Sequence, residues 1–328
     1  MQKRKLGNTG MEISEIGLGA WGLGGVYYGP VEKEEGVAAV RAYLNAGGNH
    51  LDSAYSYHTS EEIIGEAIKG YNRDELVLVS KSFAGLSHER LPRLRKEIEI
   101  SLRDYGTDYI DLYYIHGPAD EKSLREDTIA EYIKLKEEGK IRAIGVSLKG
   151  AVVDQEVLDL GDAYLATNDI EVVQMIYSPL RQMNADFFQK CADQGVGVVV
   201  RTVLESGFLT GKYKPGHEFV WPDVRVRYVP EHRDHILQVV QDEFISLPLP
   251  DGYENHAQLA AKFCLANPNV SGIIMGANKA SQVERNAAID KLPPLPGDLV
   301  KTIEQRFAGR TEEFNPYGEL EHVPSIRS

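Results

Sequence analysis

A proton-transfer group can be assembled from four residues of this 328-residue chain: Asp52, Tyr57, Lys81 and His116. A tyrosine phenol, with an ordinary pKa of about 10, is a poor acid at neutral pH. An ammonium group beside the phenol lowers that pKa, and a carboxylate can hold the ammonium in place. We therefore expect Lys81 and Asp52 to tune Tyr57, while a neutral His116 imidazole hydrogen-bonds a substrate oxygen. Reduction of a carbonyl needs such a group, because the nascent alkoxide must be protonated.

The hydride for that reduction must come from a cofactor, since no side chain can deliver one. Each residue also has a structural interpretation: Asp52 and Lys81 could form a structural ion pair, and His116 a core histidine. The occurrence of all four types at the ends of consecutive predicted strands favours the chemical interpretation. His50 and Asp52 are alternative metal ligands, but no HxH pair accompanies them, so we predict no metal.

Short apolar runs alternate with amphipathic helical stretches from about residue 32 onward, which is typical of βα units and a parallel sheet, and an initial strand at 16–18 brings the strands to eight. A capping box at Thr59 and Glu62 is expected to open the second helix. The predicted strands are 16–18, 50–52, 76–79, 110–115, 141–146, 172–176, 196–200 and 272–275. The predicted helices lie around 37–44, 59–68, 89–103, 129–136, 185–194, 256–267 and 281–288.

This continuous rhythm, without a linker, favours one closed α/β (β/α)8 TIM barrel over two docked domains. We expect a single domain over residues 1–328: a β-hairpin at 1–14 that caps the lower mouth, the barrel over about 15–290, and a C-terminal extension over about 291–328. Active sites of such barrels lie at the carboxyl ends of the strands, where the four residues would meet. The irregular, aromatic segment 207–233 is long enough to be functional.

Three glycines, Gly17, Gly19 and Gly22, spell GxGxxG, the fingerprint of a Rossmann fold. That fingerprint requires a helix at the glycines and an acidic residue about 20 positions later. The residues that follow, LGGVYYGP over 23–30, cannot form a helix. We therefore interpret the motif as a glycine-rich loop after the first barrel strand, with room for a ligand.

The overall charge disfavours two classes of partner. The sum of 36 Lys and Arg residues against 49 Asp and Glu residues gives a net charge of -13, which repels nucleic acid and anionic membranes.

Cys191 and Cys264 lie outside any disulfide or zinc pattern, which favours a reducing compartment. Without an apolar leader or a membrane-length run, the sequence predicts a cytoplasmic protein.

At the four chemical residues the chain resembles the aldo-keto reductase superfamily. Segment 47–57 (GGNHLDSAYSY) resembles the family's Asp/Tyr segment, 78–81 (LVSK) its lysine strand and 112–116 (LYYIH) its histidine strand. The resemblance extends from 5–10 (KLGNTG) to the region around Asn286. It implies hydride transfer between a nicotinamide cofactor and an aldehyde, ketone or sugar, or the corresponding alcohol.

The resemblance also implies roles for individual residues. Tyr57 would be the general acid and base, tuned by Lys81 and Asp52, with His116 orienting the carbonyl. Trp21, Tyr57 and His116 would contact the substrate. The implied cofactor-binding residues are Gly19, Trp21, Asp52, Ser147, Gln174, Arg201, Leu204, Gly207, Lys212, Gly276, Asn278, Gln282, Arg285 and Asn286.

Several positions depart from the family pattern. Leu148 stands where an asparagine of the nicotinamide clamp is expected. Arg201 replaces an aromatic residue that is often stacked on the nicotinamide. If Arg201 has only a structural role, we expect it to form a salt bridge with Glu205 or Asp52. Gln282 replaces the arginine typical of 2'-phosphate binding. The family favours NADP(H), and Gln282 makes NAD(H) a serious competitor.

Two other functions remain alternatives at this point. A cofactor-binding regulatory subunit with little turnover would be expected to carry a damaged catalytic set, and this chain carries all four residues. A metal-dependent barrel hydrolase would need a cluster of metal ligands. The natural substrate, the working direction and the oligomeric state stay open.

Overall fold

A computed structural model describes residues 1–148 and 154–317 of the chain. It opens with an antiparallel hairpin of strands β1 (Lys3–Lys5) and β2 (Glu12–Ser14). Leu6, Met11 and Ile13 from this hairpin are buried against side chains of the barrel interior. The hairpin therefore closes one mouth of the barrel, as predicted.

Eight parallel strands follow and close into a barrel, each paired with the next along the chain and the last paired with the first. This confirms the predicted fold class. Most of these strands are buried on both faces, which is why they appear in the sequence as continuous apolar runs. The strands are β3 (Ile16–Gly19), β4 (His50–Asp52), β5 (Val77–Ser82), β6 (Ile110–His116), β7 (Ile141–Ser147), β8 (Val172–Ile176), β9 (Gly197–Arg201) and β10 (Gly272–Gly276).

Ten α-helices lie in the described residues, mostly between consecutive barrel strands. Their apolar residues form one large cluster with the outward-facing residues of the strands. The helices are α1 (Lys33–Asn45), α2 (Ser60–Ala67), α3 (Leu94–Tyr105), α4 (Lys122–Glu137), α5 (Gln155–Leu165), α6 (Ala185–Asp193), α7 (Pro230–Val239), α8 (His256–Ala266), α9 (Ala280–Ala288) and α10 (Gly297–Phe307).

The predicted capping box at Thr59 is wrong, although α2 begins at Ser60 as expected, and the predicted start of the third helix is also wrong. Thr59 makes no capping hydrogen bond, because its backbone, with φ −86° and ψ 4°, lacks the extended conformation that a capping residue needs. The third helix begins at Leu94 rather than Glu89, after a short 3-10 turn over Leu91–Arg93. Pro92 in that turn has no N–H to donate, which suits the start of a helix and not its interior.

Other elements were absent from the sequence interpretation. Helices α5, α7 and α10 were not predicted, and the segment predicted as irregular through residue 233 already enters α7 at Pro230. Of the predicted C-terminal extension, α10 and a 3-10 turn over Thr311–Phe314 are described. Its residues 318–328 lie outside the described part of the chain.

Candidate active site

A buried ion pair lies beneath the upper mouth of the barrel. The Lys81 ammonium donates to Asp52 Oδ1 at 2.6 Å and to the Ser53 carbonyl at 2.7 Å. Strand pairing places these groups together, because β4 and β5 run side by side with Asp52 opposite Val79. Burial lowers the pKa of Lys81, and the Asp52 carboxylate opposes that change. The pair supplies a fixed charge arrangement beneath the mouth of the barrel.

Tyr57 lies above this pair, in the loop that follows β4. The Lys81 ammonium is 5.2 Å from the centre of the Tyr57 ring, and the ring remains partly exposed. Burial raises the pKa of Tyr57 well above its usual value, Asp52 raises it further, and Arg201 opposes the rise. The expected lowering by Lys81 is therefore wrong for this structure. The Lys81 charge is directed at Asp52 and largely cancelled by it.

His116 ends β6 on the other side of Tyr57, with the two ring centres 6.1 Å apart and nearly perpendicular. Burial lowers the pKa of His116 well below its usual value, and Lys81 and Arg201 lower it further, so the imidazole is neutral. Phe83 stacks on this ring at 4.0 Å with an angle of 12° between planes. The sequence interpretation missed Phe83, which directly follows the end of β5 at Ser82.

A chain of hydrogen bonds supports Asp52 from the far side of the barrel. Gln174 donates from Nε2 to Asp52 Oδ2 at 2.7 Å. Ser147 in turn donates from its hydroxyl to Gln174 Oε1 at 3.4 Å, and both side chains are buried. Two residues predicted to clamp a nicotinamide thus also hold the carboxylate of the ion pair.

Arg201 is the last residue of β9. It forms neither of the two salt bridges, with Glu205 or Asp52, that a purely structural role would require. Its guanidinium donates to the Leu148 carbonyl at 3.0 Å and to the Thr202 hydroxyl at 3.4 Å. Glu205, one expected partner, instead binds Arg181 at 2.9 Å. Arg201 remains partly accessible at the mouth.

The loop after β9 is strained and fixed in place. Thr202, Glu205 and Ser206 have φ values of 62°, 48° and 55°, which non-glycine residues rarely adopt. Such strain persists where surrounding contacts impose it, often at binding sites. Arg225, absent from the sequence interpretation, donates to the Ser206 carbonyl at 2.8 Å. Its guanidinium also packs 4.2 Å from the centre of the Phe219 ring.

The loop after β3 contacts both the loop after β9 and the loop after β4 that carries Tyr57. Val224 donates its N–H to the Tyr27 carbonyl at 2.8 Å, which joins the two loops. Trp21, the predicted substrate wall, packs on Tyr27 with ring centres 4.5 Å apart. A Cβ on Gly24 would lie 2.2 Å from the Tyr57 carbonyl oxygen. The absence of a side chain at Gly24 therefore permits this close approach.

The glycine motif itself has a packing explanation. A Cβ on Gly17 would lie 2.8 Å from the His50 ring, and one on Gly19 would lie 2.7 Å from Ile274. These two glycines allow β3 to lie close to side chains of its neighbours β4 and β10. The motif is followed by a 3-10 turn over Trp21–Gly24 and no α-helix, as expected for a fold other than Rossmann.

The predicted adenosine side begins where β10 ends. Gln282 Oε1 accepts the N–H groups of Asn278 at 2.9 Å and Lys279 at 3.2 Å, so its side chain caps α9. The Lys279 ammonium is paired with Glu35 at 3.4 Å. Open space lies beside Gly276, with no atom within 4 Å of a Cβ built there.

The structure brings the predicted site residues to the same end of the barrel, in two groups. Tyr57 and His116 lie at the upper mouth of the barrel, with the buried Asp52 and Lys81 beneath them. The residues predicted for the cofactor lie at or after the ends of strands β3, β4 and β7 to β10: Gly19, Trp21, Asp52, Ser147, Gln174, Arg201, Leu204, Gly207, Lys212, Gly276, Asn278, Gln282, Arg285 and Asn286.

These residues fit a nicotinamide dinucleotide. The Ser147 hydroxyl and the Gln174 amide are donors and acceptors of the kind that an amide-bearing ring requires. Among residues 1–148 and 154–317, neither Arg201 nor Lys212 has a carboxylate within 4.0 Å, which suits a polyanion. No group of three potential metal ligands occurs in the same residues. None of the helices described there is long and apolar enough to cross a membrane.

Comparison with known proteins agrees with this geometry. The aldo/keto reductase family profile matches residues 15–306. The NADH-specific methylglyoxal reductase of Escherichia coli is 30% identical over 314 residues, covering 88% of this chain and 93% of that protein. A probable voltage-gated potassium channel subunit beta of Oryza sativa is 28% identical over 345 residues, covering 96% of this chain and all of the other.

Among solved structures, the glycerol dehydrogenase of Gluconobacter oxydans superimposes with a TM-score of 0.76 at 25% identity, covering 99% of each chain. The match spans the hairpin, the barrel and the residues at its upper mouth. The chain therefore belongs to the aldo/keto reductase family, and it is an oxidoreductase that transfers a hydride between NADP(H) or NAD(H) and a carbonyl compound or the corresponding alcohol.

Proposed function

We propose that Tyr57 is the general acid that protonates the carbonyl oxygen during reduction, and the general base in the reverse oxidation. One observation carries this proposal: the buried Lys81–Asp52 pair lies under a partly exposed Tyr57 ring, beside His116. The phenol and the imidazole line the cavity, while the ion pair lies below them. Substrate can therefore reach the phenol without contacting the buried charges.

The chain's own groups account for the proton transfer. A neutral imidazole can donate one N–H to the carbonyl oxygen, which orients the substrate without adding a charge. When bound, the reduced nicotinamide supplies the hydride. As the carbonyl oxygen becomes an alkoxide, it takes the proton from Tyr57 Oη. The Arg201 cation, which lowers the pKa of Tyr57, then stabilises the phenolate that remains.

The cofactor would be held by residues on the opposite side of the mouth. Ser147 and Gln174 would contact the carboxamide, and Lys212 the pyrophosphate, with the remaining predicted residues around them. NADP(H) stays our favoured cofactor and NAD(H) its competitor. Position 282 carries a neutral glutamine whose side chain caps α9, so this position offers no cation to a 2'-phosphate.

The substrate is proposed to be a small polar carbonyl compound or sugar. Trp21, packed against Tyr27, forms an aromatic wall, and Phe83 beside His116 forms a second one. Aromatic faces suit the C–H surfaces of sugars and of short ketones. The names of two relatives, a methylglyoxal reductase and a glycerol dehydrogenase, support substrates of this size and polarity.

The alternative function is a cofactor-binding regulatory subunit with little turnover, and a relative named as a potassium channel subunit keeps it open. The complete set of four residues favours the enzyme.

We further propose a cytoplasmic protein of one domain, without nucleic-acid or membrane partners. Cys191 and Cys264 are free and buried, which is compatible with a reducing compartment. A contact from Arg181 to the Phe314 carbonyl at 2.8 Å ties the C-terminal segment to the barrel.

The test is a nicotinamide absorbance assay across aldehydes, ketones and sugars with both cofactors, on the native chain and on Tyr57→Phe. We expect Tyr57→Phe to lower kcat by at least about 100-fold, because it removes the transferable proton. Its Kd for the nucleotide should change less than about twofold, since the ring remains. Equal activity of the two proteins would refute the acid assignment. Tight nucleotide binding without turnover of any compound would support the regulatory alternative.

A further inference from the structure

The Arg201 guanidinium occupies a position that links the predicted cofactor residues. It donates to the Leu148 carbonyl at 3.0 Å, and Leu148 directly follows Ser147. The Leu148 N–H is in turn bound by the Gln174 carbonyl at 2.9 Å. A cation is thus fixed beside the two side chains that we assign to the carboxamide.

The charges around this position do not balance. Asp52 is paired with Lys81, and Glu205 is paired with Arg181. In the described ranges 1–148 and 154–317, no carboxylate lies within 4.0 Å of Arg201, whose two hydrogen-bond acceptors are neutral oxygens. The floor of the site therefore carries one positive charge more than its ion pairs neutralise.

We propose that Arg201 makes the site distinguish the two redox states of the nicotinamide, binding the reduced ring more tightly than the oxidised ring. This inference rests on the proposed function. Hydride transfer moves two electrons and one hydrogen from the reduced ring to the carbonyl carbon, while Tyr57 supplies the proton. The ring begins neutral and ends with one positive charge. A fixed cation nearby repels only the second state, most strongly where water is excluded.

The consequence is a preferred direction of the reaction. In a mixed pool of cofactors the chain would be loaded with the reduced form, and after turnover the oxidised form would dissociate readily. Both effects favour carbonyl reduction over alcohol oxidation. They arise from a residue of the chain itself and need no change of conformation.

The experiment is calorimetric titration with NADPH, NADP+, NADH and NAD+ separately, in the absence of substrate. Native protein is compared with Arg201→Met, which keeps much of the volume without charge, and Arg201→Lys, which keeps the charge. Lys212→Met is the matched control, because Lys212 is proposed to contact the pyrophosphate that both redox states share. Thermal unfolding of each variant verifies that it is folded.

For native protein we expect the reduced form of the preferred cofactor to bind at least about tenfold more tightly than the oxidised form. Arg201→Met should reduce that ratio about tenfold, Arg201→Lys should keep it, and Lys212→Met should weaken both forms alike. An unchanged ratio in Arg201→Met, or equal weakening of both forms, would overturn the proposal and assign Arg201 to a phosphate or a substrate anion. Absence of nucleotide binding by the native protein would instead refute the proposed function.

Discussion

At the scale of single residues, the site depends on which groups are buried and which face the cavity. Asp52 and Lys81 are buried together, so each offsets the cost of removing the other from water. Tyr57 and His116 are partly exposed at the cavity, although burial shifts the pKa of both toward the neutral form. The proposed acid and the proposed orienting group are therefore uncharged when substrate arrives.

This predicts an unusual pH dependence of reduction. His116 has a lowered pKa, so it stays neutral down to acidic pH, and Tyr57 has a raised pKa, so it keeps its proton into the alkaline range. We expect kcat/KM for reduction to be flat between about pH 6 and about pH 10, and to fall only at higher pH. Initial rates in buffers of constant ionic strength measure this. An acid-side decline that disappears in His116→Gln would contradict the neutral imidazole.

At the scale of elements, loops after different strands are held against each other by backbone contacts as much as by side chains. The turn Trp21–Gly24 lies on the backbone of Tyr57, and the loop after β9 is joined to Tyr27. Helix α9 begins with a cap from Gln282. Small changes at these junctions should therefore alter function.

Two glycines in one turn allow a matched comparison. Gly24→Ala places a Cβ 2.2 Å from the Tyr57 carbonyl oxygen, whereas the nearest atom to a Cβ on Gly22 is 3.7 Å away. We expect Gly24→Ala to lower the free energy of unfolding by about 1 to 3 kcal/mol and to reduce kcat, because the catalytic loop must shift. Gly22→Ala should resemble the native protein. Urea unfolding and initial rates measure both effects, and equal behaviour of the two variants would contradict the contact.

Cofactor preference is tested at the start of α9. Gln282→Arg adds a cation where a 2'-phosphate is expected, so we expect the NADPH to NADH ratio of kcat/KM to rise about tenfold. Gln282→Met removes the same cap on Asn278 and Lys279 without adding charge, and should leave the ratio unchanged. A large NADPH preference of the native protein would mean that Lys279 or Arg285 binds the phosphate instead.

At the scale of the whole molecule, a buried carboxyl group couples stability to pH. Glu61 on α2 accepts hydrogen bonds from Ser80 on β5 at 2.5 Å and Ser101 on α3 at 2.8 Å. Burial raises its pKa from 4.5 to about 7. The folded state thus holds a proton that the unfolded chain has already released, and stability falls as pH rises from about 4.5 to about 7.

Glu61→Gln should remove this dependence. At pH 8 we expect the variant to exceed the native protein in free energy of unfolding by about 1 to 3 kcal/mol, because no charge has to be buried. At pH 4.5 the two proteins should be nearly equal. The exposed Glu62→Gln serves as control and should change stability little at either pH. Denaturant unfolding at several pH values is the measurement, and a constant difference across pH would contradict the buried charge.

Much of this protein could be predicted from its sequence because the relevant signals are local. Each barrel strand is a short apolar run, and each catalytic type stands at or just after the end of such a run. Strand boundaries differed from the prediction by up to three residues, at β5, which extends to Ser82. The true start of α3 was missed because Pro92 interrupts its pattern, and α5 was missed although its buried residues Val157, Leu160 and Tyr164 have helical spacing.

Other properties were decided only by the tertiary structure, because they depend on groups distant along the chain. Gln174 reaches Asp52 across 122 residues, and that contact gives the predicted clamp a second role. The pKa of Tyr57 moved opposite to expectation, since burial and the Lys81–Asp52 pairing outweigh the attraction of a nearby ammonium. The absence of a carboxylate beside Arg201 in the described residues likewise follows from packing. Residue types and their order determine which chemistry is available, whereas burial and long-range pairing determine the charge that each group carries.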